Sequence, residues 1–318
     1  MTPTDAVLLG DSAIAIFAPA GIGEVTPGVD LVTLITDAIS DDEHGPLQPG
    51  DVVVVTSKII SKAENRYADA ADREAAITAE STRTVAQRGA MRIVRTRTGL
   101  TIAAAGVDNS NVEQGRILLL PIDPDASAER LAVGLSEAAG GAVGVIVSDT
   151  AGRPWRVGQT DHAIGAAGVR VLASYAGKTD GYGNELAVTA MALADELAAA
   201  ADLVKQKLAG RPVAVIRGRG DLVMTRSADE STYSAEQVTA RAIVRAGPGD
   251  LFSHGAREAV LAALCGALGV PEAYEALVGA DPQTAASQLL QAGRLPVDAS
   301  ELVRTLLETA TQLSDRAD

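Results

Sequence analysis

The chain has 318 residues, of which 47% are apolar and 3% aromatic, and its formal net charge at pH 7 is −14. This length and apolar content predict a folded protein with a large core and exclude general disorder. The negative charge and the scarcity of aromatic rings disfavour nucleic acid or an anionic membrane as the main partner.

Three further features lead us to expect a soluble, cytoplasmic protein. Cys265 is the only cysteine, so no internal disulfide can form, which suits a reducing compartment. Residues 1–6 carry an acid instead of the basic residues of a signal peptide. No apolar run reaches membrane-spanning length.

The first third of the chain predicts strands and helices in alternation. An apolar run at 13–19 precedes a turn-rich stretch at 21–28 and a helix-like segment at 31–39. Residues 51–56 are dominated by β-branched side chains and predict a strand buried on both faces. Residues 68–90 are rich in Ala, Glu and Arg, with no Gly or Pro before Gly89, and predict a helix.

The rest of the chain changes in character near residue 250. A long Ala-rich helix is predicted over 186–208. Residues 255–318 look purely helical, with breaks near 269–271, 279–282 and 293–296. Four more strands are predicted: Arg116–Leu120, Val143–Val147, Val169–Leu172 and Val213–Arg217. The pattern predicts an α+β body with a mixed sheet over residues 1–252 and a short, all-helical C-terminal extension over 253–318.

The first polar motif, residues 56–62, follows the valine-rich strand and reads Thr-Ser-Lys-Ile-Ile-Ser-Lys. Hydroxyl and ammonium groups just past the carboxyl end of a strand are typical of anion sites in α/β proteins. A solvated exit from the strand explains the same residues equally well.

The second motif, residues 105–111, places Asp108, Asn109, Ser110 and Asn111 directly after an apolar run. Such residues form a tight Asx-type turn or a loop that binds a metal and a nucleotide. Considered alone, the stretch favours the turn.

The third motif, residues 145–161, is the most informative. Asp149 and Thr150 follow a buried strand, where a carboxylate and a hydroxyl suit Mg²⁺. Arg153 and Arg156, three residues apart, can bind phosphate or carboxylate with their planar guanidinium groups. A structural network of ion pairs is the alternative, but so many polar groups at one strand end favour a site.

The fourth motif, residues 178–186, contains Asp180 and Glu185 before the predicted long helix. Acidic side chains at the start of a helix complement its dipole, so helix capping is the stronger interpretation. Contact with a substrate ammonium group is the weaker one.

Other familiar sites are not supported. Gly177-Lys178-Thr179 resembles part of a P-loop, but Leu172 stands where that motif needs its first glycine. No Gly-x-Gly-x-x-Gly follows a strand and opens a helix, and the three histidines lack the spacing of zinc ligands. A nucleotide would therefore bind by a less common architecture.

Taken together, the segments resemble the coenzyme F420:L-glutamate ligase family, in particular its actinobacterial members. The specific match is the ordered set VVVVTSKIISKAEN, AAAGVDNSNV, SDTAGRPWRVGQTDHAIGAAG and DGYGNEL, and the resemblance extends from residue 12 to about 252. It implies a body of two intertwined subdomains that forms a homodimer, with the nucleotide near the interface.

The resemblance also implies the chemistry and the residues that carry it. Such ligases use GTP with Mg²⁺ or Mn²⁺ to join L-glutamate to the lactyl carboxylate of the F420 precursor through an acyl phosphate. Some add further γ-linked glutamates, and K⁺ is a further candidate cation. Asp108 and Asp149 would hold one metal and Thr150 would touch a second. The implied GTP contacts are Ile22, Gly23, Glu24, Val25, Ser57, Lys62 and Asn111; Arg153 and Arg156 are added from their chemistry as phosphate or carboxylate contacts.

Two departures from the family pattern lead to further expectations. Lys207 stands in a stretch that contributes to GTP and the second metal in archaeal relatives, and a protonated lysine cannot ligate a metal. We expect this to alter the second-metal site, with Lys207 replacing some cationic function. Residues 255–318 are too short for the nitroreductase-like domain of many actinobacterial relatives, so no flavin binding is expected.

Two other functions remain open from the sequence. One is a related ligase that acts on a different acid or amine, with the same aspartates and Lys62 but another acceptor pocket. The other is a non-catalytic module that binds GTP or metal. The second is disfavoured because a degenerate relative should have lost an acid or a lysine, and this chain keeps those named.

Overall fold

A computed structural model describes residues 13–187, 189–224, 239–245, 247, 250–292 and 299–315. The chain forms two compact units, the first from residues 1–71 with 108–244 and the second from residues 72–107 with 245–318. The second unit therefore joins an internal segment of the chain to the C-terminal helices.

The elements of the first unit alternate along both of its segments. Its strands are β1 (Ala15–Phe17), β2 (Val52–Thr56), β3 (Tyr67–Asp69), β7 (Arg116–Leu118), β8 (Gly144–Arg153), β9 (Arg156–Ala167), β10 (Ala173–Ser174), β11 (Lys178–Thr179), β12 (Glu185–Leu186), β13 (Ala190–Met191) and β14 (Val213–Arg217). Its helices are α1 (Leu31–Ser40), α2 (Ser57–Ala63), α4 (Pro124–Ala139) and α5 (Leu193–Lys205). The second unit contains β4 (Ser81–Arg88), β5 (Met91–Thr96), β6 (Thr101–Ala103), α3 (Arg73–Glu80), α6 (Ala256–Ala267), α7 (Tyr274–Leu277), α8 (Pro282–Ala292) and α9 (Ala299–Asp315).

A five-stranded mixed sheet in the order β1-β14-β2-β8-β9 is the centre of the first unit. Only β2 and β8 pair in parallel; the other pairs are antiparallel. Val52–Val55 are fully buried, as the β-branched run predicts. The parallel pair aligns Thr56 with Ser148, so Ser57, which follows β2, lies beside Asp149, which continues β8. The α+β fold class with a mixed sheet is confirmed.

The predicted helix over 68–90 is confirmed only for α3 and is wrong on both sides of it, since residues 68–69 belong to β3 and residues 81–88 to β4. The helix α3 ends at Glu80, and residues 81–88 form β4, which pairs with β5 across a turn at Gly89 with φ of +57°. Thr82, Thr84 and Val85 are β-branched and favour a strand once a partner is present. The pairing with β5 therefore overrides the helical propensity of the neighbouring residues.

The predicted helix over 186–208 starts too early and ends too late. The short hairpin of β11 and β12 places Glu185 in a strand, and the helix α5 runs only from Leu193 to Lys205. Asp180 accepts hydrogen bonds from the backbone N–H groups of Tyr182 and Asn184. The capping role predicted for Asp180 and Glu185 is therefore wrong, because both belong to this hairpin.

The predicted strand at 169–172 is also wrong. Only Val169 pairs there, through an isolated bridge to Val223. Val169 and Val171 are fully buried in the cluster beneath α5, so the apolar run reflects core packing.

The second unit contains the antiparallel sheet β4-β5-β6 and the C-terminal helices. Leu261, Leu289 and Leu307 are buried in one cluster that links α6, α8 and α9. The predicted helical tail is confirmed, with breaks at 269–271 and 279–282; the break predicted at 293–296 lies outside the described residues. Within the described ranges, no helix is both long enough and apolar enough to cross a membrane.

Candidate active site

The first turn of α2 connects two aspartates that are distant in the sequence. Ser57 Oγ donates a hydrogen bond of 2.9 Å to Asp149 Oδ1. The next residue, Lys58, places its Nζ 2.6 Å from Asp108 Oδ2 and also 2.6 Å from Ser110 Oγ. The structure therefore brings the predicted metal ligands Asp108 and Asp149 around one helix start.

Backbone hydrogen bonds hold Asp108 in place in addition to the contacts of its side chain. Its N–H donates to Leu118 O at 3.1 Å, and Leu118 N–H donates back to Asp108 O at 2.8 Å. The Ser110 N–H donates to Asp108 Oδ1 at 2.9 Å, which is the Asx-type turn that the sequence favours. Burial raises the pKa of Asp108, but the contacts with Lys58 and Ser110 outweigh it and lower the pKa to about 2. Asp108 is therefore ionised at neutral pH.

The surroundings of Asp149 disfavour the charged form of its carboxyl group. Burial, followed by the charges of Asp161 and Asp108, raises the pKa of Asp149 to about 6 against the hydrogen bond from Ser57. A carboxylate whose charge is disfavoured by two other carboxylates is stabilised by a nearby cation. Among the described residues, no three His, Cys, Asp or Glu side chains are grouped around one ion position. A metal here would take two carboxylates and complete its shell with water or substrate oxygens, as Mg²⁺ does.

A separate polar cluster lies on the other face of the same strand. Side chains alternate along a strand, so the adjacent residues Asp149 and Thr150 point to opposite faces. Thr150 Oγ1 donates to Asp161 Oδ1 at 2.7 Å, and Ser148 Oγ donates to Asp161 Oδ2 at 2.8 Å. Lys205 Nζ lies 2.7 Å from Asp161 Oδ2 and 2.8 Å from Ser148 Oγ. Burial raises the pKa of Asp161, but the Lys205 charge and these hydrogen bonds leave it below its usual range.

The predicted nucleotide loop, residues 22–25, meets Lys62. The side chains of Ile22 and Val25 are buried and anchor the loop, while Gly23 and Glu24 between them are exposed. Lys62, from the last turn of α2, is 6% exposed and pairs with Glu24, which is 71% exposed. The structure brings these predicted GTP contacts together.

The remaining predicted residues lie further from this arrangement. Asn111 is exposed and has φ of +53°, in the same turn as Asp108. Arg153 and Arg156 face each other at the turn between β8 and β9, four residues or about 13 Å of strand beyond Asp149. One guanidinium nitrogen of Arg153, Nη1, is buried without a hydrogen-bond partner.

A cavity of about 790 Å³ is lined in part by Ala20 and Gly21, directly before the loop. Its lining joins an aromatic wall, where His44 stacks on Phe17 at 4.4 Å, to several carboxylates. The lining residues include Phe17, Gly21, Asp37, Asp41, His44 and Gln206.

Comparison with known proteins gives a consistent result over this region. Residues 21–218 match the family model of the F420-0:gamma-glutamyl ligases. The chain belongs to this family. It is 37% identical to the coenzyme F420:L-glutamate ligase of Methanothermobacter thermautotrophicus over 225 residues, which cover 64% of this chain and 89% of the relative. The ligase of Methanopyrus kandleri is 41% identical over 215 residues, covering 61% and 83%. That of Archaeoglobus fulgidus is 35% identical over 243 residues, covering 70% and 94%.

In this member of the F420-0:gamma-glutamyl ligase family, sequence reasoning missed five residues at the site. They are Lys58, Ser110, Ser148, Asp161 and Lys205. Lys58, Ser110, Ser148 and Asp161 lie inside motifs that the sequence singles out, so their position was the available signal. Asp161 and Lys205 are 44 residues apart and gave no local pattern as a pair.

Proposed function

We propose that this chain uses GTP and a divalent metal ion to form an amide bond between L-glutamate and the lactyl carboxylate of the coenzyme F420 precursor. The observation that carries the proposal is the family match over 21–218, which contains both aspartates, the start of α2 and the nucleotide loop. The relatives named above are coenzyme F420:L-glutamate ligases.

The proposed reaction proceeds in two steps. A carboxylate oxygen of the precursor attacks the γ-phosphorus of GTP, the bond from that phosphorus to the bridging oxygen breaks, and GDP leaves. The glutamate amine then attacks the acyl carbon, inorganic phosphate leaves, and the amine proton passes to solvent. No covalent bond to the protein is required, so catalysis rests on positioning and charge.

One divalent ion fits the donor set of Asp108 and Asp149. Both groups offer hard carboxylate oxygens, and the raised pKa of Asp149 supports a cation beside it. Mg²⁺ or Mn²⁺ bound there would neutralise negative charge on the phosphates. The protein's own part is to hold the two carboxylates through Ser57 and Lys58.

A second ion at the Thr150 hydroxyl does not fit the cluster on the opposite face. That hydroxyl donates to Asp161, and Asp161 is already paired with the Lys205 ammonium. The proposed mechanism therefore includes no step at a second metal.

The triphosphate is proposed to lie along the loop 22–25 and Lys62. The backbone of the exposed Gly23 can approach phosphate closely, and the Lys62 ammonium supplies charge. The guanine base is assigned to the cavity beside Gly21, which has an aromatic wall at Phe17 and His44. The carboxylates that line the cavity can accept hydrogen bonds from the N1–H and the amino group of guanine, which are adjacent donors. The corresponding edge of adenine pairs a donor with an acceptor and matches a carboxylate less well.

A homodimer is proposed with the rest of the family pattern, on the resemblance alone. Its test is light scattering of the purified chain, where a monomer mass across the micromolar range would reject it.

Incubation with GTP, Mn²⁺, L-glutamate and the F420 precursor tests the function. Mass spectrometry should detect one or more added glutamyl residues, with one phosphate released for each. Release of phosphate only with another acid or amine would identify a related ligase with a changed acceptor. Binding of GTP and Mn²⁺ with no turnover of any acceptor would identify a non-catalytic module.

A further inference from the structure

A lysine ammonium group is enclosed by oxygen atoms on the face of β8 opposite Asp149. The side chains of Lys205 and Asp161 are 5% and 3% exposed, and Ser148 is fully buried. Lys205 Nζ has an oxygen neighbour at 2.7 Å on Asp161 and another at 2.8 Å on Ser148. A buried charge of this kind is stable only when it is paired and hydrogen-bonded, and this one is both.

The oxygen atoms around Lys205 are those that a second divalent ion beside Thr150 would need. One carboxylate oxygen of Asp161 accepts a hydrogen bond from Thr150, and the other accepts hydrogen bonds from Ser148 and Lys205. An ion placed there would have to displace the ammonium or remain beside it, and two cations within a few ångströms repel strongly away from water.

The shape of α5 explains why Lys205, and not Lys207, fills this position. Leu193, Leu197 and Ala201 are buried at four-residue intervals, and Lys205 continues that row. The helix ends there, because Gln206 has φ of +53°. Lys207 lies beyond this turn and is exposed. Lys205, two residues before Lys207, is therefore the lysine that contacts Asp161 and Ser148.

We infer that the Lys205 ammonium takes the place of a second divalent cation, so that this chain binds one divalent ion per active site. The inference rests on the proposed function only for the first ion, at Asp108 and Asp149. Asp161 and Thr150 are positioning residues in this arrangement: Asp161 holds the ammonium, and the Thr150 hydroxyl holds Asp161. A purely structural ion pair would also be buried, but its removal would not create a metal site.

Counting bound Mn²⁺ on the full chain tests the inference without any turnover. Free Mn²⁺ is measured by its paramagnetic resonance signal during titration, with Mn²⁺ alone and with a non-hydrolysable GTP analogue present. Since an analogue brings its own phosphate oxygens, the second condition gives any second ion its best chance to bind. The wild type should bind one Mn²⁺ per chain in both conditions, and two would overturn the inference.

Lys205→Ala provides the gain-of-site arm, and Lys207→Ala is the matched control two residues away. Removal of the ammonium leaves Asp161, Ser148 and Thr150 as free oxygen donors, so Lys205→Ala should bind two Mn²⁺ with the analogue present. Lys207→Ala should still bind one. A folded Lys205→Ala that binds only one ion would assign Lys205 a structural role and reject the inference. If this variant does not fold, the wild-type count decides. Because glutamate and precursor are absent, failure of the proposed reaction cannot alter either count.

Discussion

Ser57 and Lys58 are neighbours in the chain, yet their side chains hold different aspartates: Ser57 Oγ lies 2.9 Å from Asp149 and Lys58 Nζ lies 2.6 Å from Asp108. A helix makes this possible, because adjacent residues on its first turn point about 100° apart. The helix α2 starts directly after the buried strand β2, which pairs in parallel with β8. The position of Asp149 beside α2 therefore follows from the register of β2 with β8, whereas Asp108 is placed by its backbone bridge to Leu118.

Asp149→Asn should remove activity while making the metal-free protein more stable. Burial and two nearby carboxylates raise the pKa of Asp149 to about 6, so its charge at pH 7.5 destabilises the folded state. Removing that charge should raise the free energy of unfolding by about 1–3 kcal/mol. Turnover should fall by at least about 100-fold, since a metal ligand is lost.

The measurements for this variant are thermal unfolding in EDTA, Mn²⁺ binding and product formation. Asp72→Asn, which changes an exposed carboxylate in the second unit, is the control and should leave all three unchanged. Wild-type activity in Asp149→Asn would reject the metal role of this residue.

The nucleotide loop should respond in opposite directions to two substitutions. Lys62→Ala removes the ammonium proposed to face the phosphates, and the Kd for GTP should rise roughly tenfold or more. Glu24→Gln frees the same ammonium from its exposed partner, so the Kd should fall by a factor of about 2–5. Calorimetric titration with GTP gives both values. An equal loss of affinity in both variants would show that the ion pair itself, and not the lysine, supports the loop.

The site was partly predictable because some of its signals are local. Asp108 and Asp149 each follow an apolar run, and chemistry-bearing residues at strand ends tend to meet. The pairing of Asp161 with Lys205 depends on α5 packing against β9, which no short window of sequence contains. Lys207 is notable in the sequence because it stands in a family motif, whereas the role of Lys205 depends on its place on α5, four residues after the buried Ala201.

The fold shows the same division between local and non-local causes. The strands over 52–56 and 213–217 were predicted closely because buried β-branched runs are distinctive. The composition of residues 81–88 alone predicts a helix, because the pairing with β5 that makes them a strand is not visible in this segment. Propensity is a weak prior, and cross-strand pairing overrode it here.

The alkaline stability of the second unit should depend on Tyr274. Its hydroxyl donates to Thr84 O at 2.8 Å, and burial, then the charges of Glu258 and Glu275, raise its pKa above the usual range. A raised folded-state pKa means that this contribution to stability is complete below pH 10 and is lost as the pH rises further, because only the unfolded state ionises readily. The urea concentration at the midpoint of unfolding should therefore be lower at pH 11 than at pH 9.

Tyr274→Phe should flatten that fall, at a cost of about 1 kcal/mol at pH 8 from the lost hydrogen bond. Tyr182→Phe is the control, because that ring is 95% exposed, and it should follow the wild type at every pH. A slope in Tyr274→Phe as steep as in the wild type would assign the alkaline loss to other groups.

The contact between β9 and the start of α4 should tolerate no side chain at Gly165. A Cβ built on Gly165 would lie 2.3 Å from Pro124 O, a backbone atom that cannot turn aside. Gly165→Ala should therefore lower the free energy of unfolding by about 2–4 kcal/mol, as overpacking against backbone does. Gly152→Ala on the neighbouring strand meets nothing within 4 Å and should change stability by less than about 0.5 kcal/mol. Chemical denaturation of both variants measures the difference. Asp161 also lies on β9, so a Gly165→Ala protein that folds with a shifted strand should lose the pairing of Asp161 with Lys205 as well. A free energy of unfolding equal to that of the wild type would contradict the close approach of Gly165 to Pro124.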